Sequence, residues 1–214
     1  MFDCVLLAAG ASSRMRPPDA GASARAPALK PLLPFGDSTL VETAVGAARA
    51  AGARVILVLG RGAKELAAHF EAEARGADLA GGGLLLVENP AWEEGMVGSI
   101  KAALPSVVGE AFFIAHADMP FVSPESYRAL AAAWGRRAAS CGEGAAAIAS
   151  HEGREGHPVL LPSAWIPEIL RLEAGERFKP FLAGRPRLLV EAGPGSLRDI
   201  DTPGEYRDAL RARG

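Results

Sequence analysis

The sequence has very few cysteines. Only two occur among its 214 residues, Cys4 within an apolar run and Cys141 in a stretch of Gly, Ser and Glu. Two cysteines placed in this way provide neither a set of disulfide bridges nor the spacing of zinc ligands. We therefore expect a protein of a reducing compartment and predict a cytoplasmic location.

Long apolar runs are also missing. No stretch approaches the roughly 18 continuous apolar residues of a membrane-spanning helix. The apolar run at the N-terminus follows the acidic Asp3 rather than a basic segment, which favours a buried strand over a signal peptide. We expect no association with a membrane.

The chain has almost no net charge, since 23 Lys and Arg residues face 25 Asp and Glu residues for a formal charge of −2. Such a balance provides no general basic field for binding nucleic acid, so we expect no nucleic-acid partner. A polyanionic substrate would have to be held by local cations.

What the sequence does contain is an alternation of short apolar runs with amphipathic stretches. The runs predict seven strands: Phe2–Ala8, Val55–Leu59, Leu84–Val87, Phe112–Ala115, Ala145–Ala149, Val159–Leu161 and Leu188–Val190. Continuous Val, Ile and Leu residues are typical of strands buried on both faces, and helices between them indicate crossover connections. We predict a three-layer α/β/α fold with a mostly parallel, Rossmann-like sheet, formed as a single domain by residues 1–214.

Helix starts and loops are indicated by local signals. Three helix starts are predicted: Thr39 with Glu42, Ser123 with Pro124, and Thr202 with Pro203 and Glu205. Two segments without periodicity, Arg16–Leu29 and Arg137–Gly144, are predicted to be loops.

The residues that follow the first strand are suited to phosphate. Small residues from Ala9 and Gly10 onward allow backbone N–H groups to approach a phosphate, Ser12 and Ser13 add hydroxyl donors, and Arg14 and Lys30 add positive charge. The P-loop motif and the dinucleotide G-x-G-x-x-G motif are both absent, which disfavours common kinases and nicotinamide enzymes. The alternative is a Gly/Ser turn with two solvated cations.

Carboxylates follow two other strands. Asp118 comes directly after an apolar strand, and Asp201 precedes a predicted helix start. Because ligands bind at the carboxyl ends of parallel strands, the two could hold Mg²⁺ together with substrate phosphates. The alternatives are a turn residue for Asp118 and a helix-capping residue for Asp201.

Several motifs, taken in order, resemble a known family. They are Leu7-Ala8-Ala9-Gly10-x-Ser12-x-Arg14-Met15, Lys30 with Leu32-Leu33-Pro34-Phe35-Gly36, Asn89-Pro90-x-Trp92-x-x-Gly95-Met96-x-x-Ser99, Asp118-Met119-Pro120, Gly156-His157-Pro158 and Asp199-Ile200-Asp201-Thr202-Pro203. Together they resemble the MobA/MocA-like nucleotidyltransferases, which transfer a nucleotidyl group from GTP or CTP to the molybdenum cofactor. The resemblance implies an NTP-transferase domain of the nucleotide-diphospho-sugar transferase type.

The resemblance also implies roles for individual residues. Catalysis is assigned to Arg14, Lys30 and Asp118, nucleotide binding to Ala9, Gly10, Ser12, Ser13, Arg14, Lys30, Gly95 and Ser99, acceptor binding to His157, and Mg²⁺ binding to Asp118 and Asp201. Ala9 and the Gly95-to-Ser99 segment favour CTP, whereas Met119 between Asp118 and Pro120 is more typical of the guanylyltransferases.

The predicted function is therefore Mg²⁺-dependent transfer of a nucleoside monophosphate from an NTP, with CTP favoured over GTP, to a phosphorylated small molecule of the molybdopterin type. A molybdoenzyme is a further partner that this implies. Two alternatives stay open: a sugar-phosphate or polyol-phosphate nucleotidyltransferase, and a non-catalytic nucleotide-binding accessory protein. An acceptor phosphate is already ionised at neutral pH, so no general base is required, and the sequence shows no Ser-His-Asp arrangement.

Overall fold

The structure is a computed structural model that describes residues 2–10, 29–76, 83–141, 144–173 and 175–213. Its strands in these ranges are β1 (Asp3–Leu7), β2 (Pro34–Phe35), β3 (Ser38–Thr39), β4 (Arg54–Leu59), β5 (Leu84–Glu88), β6 (Ala111–His116), β7 (Ala146–His151), β8 (Arg154–Pro162) and β9 (Arg187–Glu191). Its helices are α1 (Leu40–Ala50), α2 (Ala63–Gly76), α3 (Met96–Ala103), α4 (Pro124–Cys141), α5 (Ile166–Leu170), α6 (Phe178–Ala183) and α7 (Pro203–Arg213). No helix in the described ranges has the length and apolar character needed to cross a membrane.

The predicted mostly parallel sheet is confirmed. Within the described residues its seven strands are ordered β5-β4-β1-β6-β8-β7-β9, and each corresponds to one of the predicted apolar runs. All neighbouring pairs are parallel except those that β8 makes with β6 and β7. The reversal follows from a two-residue turn in which Glu152 and Gly153 both have positive φ, of 51° and 77°. Such a turn joins antiparallel neighbours.

The predicted three layers are present. On one face of the sheet, buried side chains of α1, α2 and α4 pack against alternate strand residues such as Cys4, Leu6 and Leu57. On the other face, α3, α5 and α6 pack against the intervening residues, such as Val5 and Ile56. Because adjacent strand residues point to opposite faces, both sets of strand side chains are buried and the runs are continuously apolar.

The predicted helix starts are confirmed. Thr39 and Glu42 form a reciprocal capping box at the start of α1, and the Ser123 side chain accepts a 3.4 Å hydrogen bond from the Ser126 N–H at the start of α4. Thr202 and Glu205 exchange hydrogen bonds of 2.7 and 3.2 Å at the start of α7.

One loop prediction is wrong, and another lies outside the described residues. The segment from Arg137 to Cys141 continues α4, because Arg and Ala are good helix formers and no glycine or proline interrupts them before Gly142. The predicted loop Arg16–Leu29 lies outside the described residues except for Leu29.

A buried ion pair closes the amino-terminal edge of the sheet. Asp3 at the start of β1 accepts a 2.6 Å hydrogen bond from Arg54 Nε, and its other oxygen accepts from the backbone N–H groups of Val108 and Gly109 at 2.8 and 3.1 Å. The two side chains are only 3% and 14% exposed. Both oxygens of this carboxylate are therefore used within the fold.

Candidate active site

A lysine bridges two carboxylates at the opposite, carboxyl-terminal edge of the sheet. Lys30 Nζ donates to Asp118 Oδ2 at 2.6 Å and to Asp201 Oδ1 at 2.8 Å. The lysine side chain is 8% exposed and each carboxylate side chain is 30% exposed. These three residues, hereafter the Lys30 cluster, are separated by 88 and 171 positions in sequence.

Backbone contacts hold the two carboxylates side by side. Asp118 lies in the turn after β6, and its carbonyl oxygen accepts a 2.9 Å hydrogen bond from the N–H of Ile200, a fully buried residue. On its other side, the Asp201 backbone N–H donates to the Glu205 carboxylate at 2.8 Å. The cap of α7 is thus supplied by Thr202, and the Asp201 carboxylate is left to bind Lys30.

The two carboxylates keep Lys30 protonated. Burial alone lowers the pKa of this lysine, but the charges and hydrogen bonds of Asp118 and Asp201 outweigh it, and the net pKa is raised. Nearby, burial and the charges of Asp201 and Asp118 raise the pKa of Asp199. Among the described residues, the Lys30 cluster therefore combines one protonated lysine with two carboxylates.

The first of two cavities at the Lys30 cluster lies between the end of β1 and the start of α3. It has a volume of about 340 Å³. Its walls are formed by Leu7, Ala9, Gly10, Trp92, Glu93, Gly95, Met96, Ser99, His116 and Asp118. Four of the residues assigned to nucleotide binding thus line one cavity, and Asp118 forms part of its wall.

Two glycines shape this cavity. Gly95 is the N-cap residue of α3 and has φ of 99°, a backbone conformation that residues with side chains rarely adopt. Gly60, at the end of β4, has Ala9 and Trp92 so near that an added Cβ would lie 2.7 Å from each of their Cβ atoms. The sequence alone favours a strand-to-helix turn at Gly60, because the two neighbours that require glycine there are distant in sequence.

The second cavity lies on the other side of Asp118 and His116, with a volume of about 400 Å³. It is lined by His116, Asp118, Met119, Arg154, Glu155, Gly156, His157, Ser196, Leu197, Asp199 and Asp201. Four of these side chains are carboxylic acids, and among the described lining residues Arg154 is the cation. Since His116 and Asp118 belong to both walls, the two cavities meet at the Lys30 cluster.

His157 reaches this cavity because β8 runs antiparallel to its neighbours, which brings its first residues to the edge where β6 ends. The rings of His116 and His157 meet edge to face, with centroids 4.2 Å apart. Burial, followed by the charge of Lys30, lowers the pKa of His116 to about 4, and burial, followed by His116, lowers the pKa of His157 to about 3. Both rings are neutral at physiological pH, and His157 Nδ1 is buried with no hydrogen-bond partner among the described residues.

Close backbone packing fixes the floor of the second cavity. An added Cβ on Gly156 would lie 2.1 Å from the Ser196 carbonyl oxygen, and one on Gly195 would lie 2.0 Å from the Phe121 carbonyl oxygen. Only glycine permits this approach, which places the chain leading to Asp199 and Asp201 directly against β8. The sequence shows glycine at positions 156 and 195, but it does not show that their neighbours are the carbonyl groups of Ser196 and Phe121.

The structure thus brings together the predicted residues that it describes. Lys30, Asp118 and Asp201 form one cluster, Ala9, Gly10, Gly95 and Ser99 line the first cavity, and His157 lines the second. Ser12, Ser13 and Arg14 lie outside the described residues. Asn89 and Arg154 were given no role by the sequence analysis, although Asn89 lay within a recognised motif.

The two carboxylates of the Lys30 cluster are of the chemical type that can hold Mg²⁺. Asp118 and Asp201 present carboxylate oxygens, which Mg²⁺ prefers, and it usually takes one or two carboxylates together with substrate phosphates. No group of three or more His, Cys, Asp and Glu side chains in the described ranges could hold a metal ion alone. A metal ion held by these two carboxylates would need further donors, which substrate phosphates can supply.

Comparison with known proteins identifies the class. The family model described as "MobA-like NTP transferase domain" matches residues 4–189, and the chain belongs to this family of nucleotidyltransferases. The chain is 27% identical to the molybdenum cofactor cytidylyltransferase of Escherichia coli K12 over 206 residues, which cover 96% of this chain and 93% of that protein. The family implies an NTP substrate and a phosphorylated acceptor.

Solved structures share the fold. A nucleotidyl transferase from Methanothermobacter thermautotrophicus superposes with a TM-score of 0.74 at 22% identity, covering 100% of this chain and 99% of the other. The 2-C-methyl-D-erythritol 4-phosphate cytidylyltransferase of Thermus thermophilus gives a TM-score of 0.61 at 21% identity, with coverage of 99% and 98%. The fold is therefore that of the nucleotide-diphospho-sugar transferase type.

Proposed function

We propose that this nucleotidyltransferase transfers cytidine monophosphate from CTP, in preference to GTP, to the phosphate of a molybdopterin-type acceptor and releases pyrophosphate. The observation that carries the proposal is the position of the Lys30 cluster, where the two cavities meet. A nucleotide in the first cavity and a phosphorylated acceptor in the second would bring their phosphates together at this point. We further propose that residues 1–214 act as a single domain in the cytoplasm.

The reaction joins two anions. An oxygen of the acceptor phosphate forms a bond to the α-phosphorus, the bond from that phosphorus to the β-phosphate oxygen breaks, and its electron pair leaves with pyrophosphate. Charge repulsion opposes the approach, so positioning and charge neutralisation supply most of the catalysis. No covalent enzyme intermediate is needed, in agreement with a site made of carboxylates and a lysine.

Lys30 provides a permanent positive charge at the point of reaction. Its raised pKa keeps the ammonium group protonated throughout the physiological range, and its burial limits screening by water. When phosphates bind, the ammonium group can exchange a carboxylate partner for a phosphate oxygen while it keeps the other. We propose that Arg14 adds a second cation on the side of the leaving pyrophosphate.

Asp118 and Asp201 would hold Mg²⁺. When bound, the ion polarises a phosphoryl oxygen and neutralises its developing charge. The carboxylates themselves keep Lys30 in place, and their backbone link through Ile200 fixes the distance between them.

Two features support CTP. The similarity to the E. coli cytidylyltransferase extends over nearly the whole chain, and the loop after β1 carries Ala9 where guanylyltransferases more often have a second glycine. Small residues at Ala9, Gly10 and Gly95 line the cavity, so that backbone groups can come close to a base. We propose that Ser12 and Ser13 donate hydrogen bonds to the phosphates.

His157 and Arg154 are the proposed contacts of the acceptor. His157 lines the second cavity as a neutral ring, which can form a hydrogen bond with a polar group of the acceptor. Arg154 places a positive charge on a wall that is otherwise acidic. An acceptor phosphate would be attracted by this arginine and directed towards the Lys30 cluster.

The test measures pyrophosphate release from each of the four NTPs with Mg²⁺, with molybdopterin-type acceptors and, separately, with sugar and polyol phosphates. We expect release from CTP that depends on the molybdopterin-type acceptor. Release that requires a sugar or polyol phosphate would assign a different acceptor, and nucleotide binding without release under any condition would indicate an accessory protein.

A further inference from the structure

Asn89 joins the two ends of the segment that lines the first cavity. This residue follows β5, and its Nδ2 group donates to Ser99 Oγ in α3 at 3.0 Å. Its Oδ1 atom accepts from the Ala91 N–H at 3.1 Å. Asn89 is 5% exposed and Ser99 is 3% exposed, so the hydrogen bond between them is protected from water.

The partners of Asn89 determine which way round its amide group lies. A backbone N–H can only donate, so the amide atom that faces Ala91 must be the oxygen. The amide nitrogen therefore faces Ser99, and Ser99 Oγ must act as the acceptor of that bond. The oxygen and nitrogen of the Asn89 amide group are therefore distinguished by their hydrogen-bond partners.

The consequence is that no partner among the described residues takes up the proton of the Ser99 hydroxyl group. A serine hydroxyl has one proton, and a lone pair is already used by Asn89. Within the described part of the chain, Ser99 Oγ makes no other hydrogen bond that could take up its proton. Because Ser99 lines the cavity, the hydroxyl can offer a donor to whatever fills it.

We propose that Asn89 is a positioning residue that fixes Ser99 as a hydrogen-bond donor towards the nucleobase. The donor selects a base that presents an acceptor at this point, as cytosine does through O2 and N3. If a base placed an N–H group at this point, that group and the Ser99 O–H would both be donors, and neither would have an acceptor. This inference deepens the proposed function and rests on a nucleotide occupying the first cavity.

The variant Asn89→Asp reverses the direction of the bond while keeping the shape of the side chain. The carboxylate still accepts from the Ala91 N–H, but now accepts from Ser99 as well, so the hydroxyl presents only lone pairs to the cavity. We expect CTP to bind about tenfold more weakly, as measured by titration calorimetry on the full chain. The kcat at saturating CTP should change little, so the loss falls on KM.

Further variants separate positioning from support of the fold. Ser99→Ala should weaken CTP binding to a similar extent, and the double variant should lose no more than Asn89→Asp alone, because both changes remove the same donor. Ser126→Ala, which removes a buried hydroxyl that donates to the Ala192 carbonyl away from the cavity, is the matched control and should bind CTP normally. If the substitutions merely loosened the fold around the cavity, the binding of all four NTPs would weaken equally. We expect instead that the preference for CTP over the other three NTPs decreases.

Base analogues identify the acceptor atom. Wild-type protein should bind either 2-thio-CTP or 3-deaza-CTP more weakly than CTP, and Ser99→Ala should be insensitive to that same change. Binding of both analogues by the wild type as tightly as CTP, or CTP binding by Ser99→Ala within twofold of wild type, would overturn the inference and leave the proposed function intact. Absence of binding of any NTP to the wild type would overturn both. Wild-type CTP binding by Ser99→Ala would overturn the inference even if Asn89→Asp does not fold.

Discussion

Two ionic groups lie at opposite edges of the same sheet, and they differ in how completely the fold satisfies them. At the amino edge, Asp3 and Arg54 balance each other, and two backbone N–H groups take up the remaining oxygen. At the carboxyl edge, the single charge of Lys30 is shared by Asp118 and Asp201. The first group is neutral overall and closed, whereas the second carries excess negative charge.

Exposure follows the same division. The carboxylate of Asp3 is 3% exposed, but those of Asp118 and Asp201 are each 30% exposed and line a cavity. A buried pair with all its hydrogen bonds made can only support the fold. A partly exposed pair of carboxylates with one shared cation has oxygen lone pairs left for a metal or a ligand. The contrast predicts that changes at the amino edge affect stability and changes at the carboxyl edge affect turnover.

The largest expected effect is the loss of activity in Asp118→Asn. Removing one preorganised charge at a reacting phosphate costs about 3–4 kcal/mol of transition-state stabilisation, which lowers kcat/KM several hundredfold. The melting temperature should change little, because Asp201 still pairs with Lys30 and the amide oxygen can still accept from it. Pyrophosphate release and thermal unfolding are measured on the same preparations.

Asp208→Asn is the control for this change. Asp208 forms an exposed ion pair with Arg211 at 3.3 Å on α7, with side chains that are 68% and 79% exposed. Exposed pairs contribute little, so both activity and stability should match the wild type. Wild-type turnover in Asp118→Asn, or failure of that variant to fold, would remove Asp118 from its proposed role.

The next effect is on stability and arises from Asp3→Asn. An amide here would point its NH₂ group either at Arg54 or at the N–H groups of Val108 and Gly109, and so would place donors against donors. Leaving a buried charge without its partner destabilises by roughly 2–4 kcal/mol. We expect the melting temperature to fall by about 5–15 °C, with kcat/KM unchanged at temperatures where the variant is folded. A stable but inactive Asp3→Asn protein would contradict the division between the two edges.

A smaller effect is expected on the pH dependence of stability. The pKa of Lys30 is raised in the folded state, so the unfolded chain loses this proton first as the pH rises. The stabilisation is complete below the ordinary lysine value of 10.5 and is lost as the pH rises through the folded value. This contribution to the free energy of unfolding is smaller than the effect of changing Asp3, because water reaches the carboxylates of Asp118 and Asp201 and screens their charge.

Denaturant unfolding between about pH 9 and 11.5, a range that spans the ordinary lysine pKa, measures this dependence. The alkaline decrease in the free energy of unfolding should be shallower in Lys30→Met than in the wild type. Lys64→Met, which removes an exposed lysine from α2, should keep the wild-type slope. Equal slopes in all three proteins would show that Lys30 is not stabilised as an ammonium ion.

Local patterns in the sequence predicted much of this arrangement, because they depend on neighbouring residues. The strands are buried on both faces and therefore appear as apolar runs, and the capping boxes at Thr39 and Thr202 are complete within four residues. Asp118 could be placed at the site because carboxyl ends of parallel strands converge at one edge. These predictions needed only neighbouring residues in the sequence or the order of the elements.

Other features depend on contacts that the order of the elements does not determine. The run Val159–Leu161 has the same pattern whichever way β8 points, and its direction is set by the two-residue turn at Glu152 and Gly153. The role of Asn89 depends on its reaching Ser99, and the need for glycine at position 60 depends on Ala9 and Trp92. Their residue types were visible, but their partners were not.

The smallest expected effect concerns Arg154, an exposed residue that lines the second cavity. If the acidic wall of that cavity admits a phosphorylated acceptor because this arginine attracts it, Arg154→Gln should raise the KM for the acceptor about threefold to tenfold and leave the KM for CTP unchanged. Raising the ionic strength should reduce the difference between variant and wild type, since salt screens an exposed charge. Arg128→Gln, which removes an exposed arginine paired with Glu125 on α4, is the control. An increase in the KM for CTP rather than for the acceptor would mean that the second cavity receives the nucleotide, and the assignment of the two cavities would have to be exchanged.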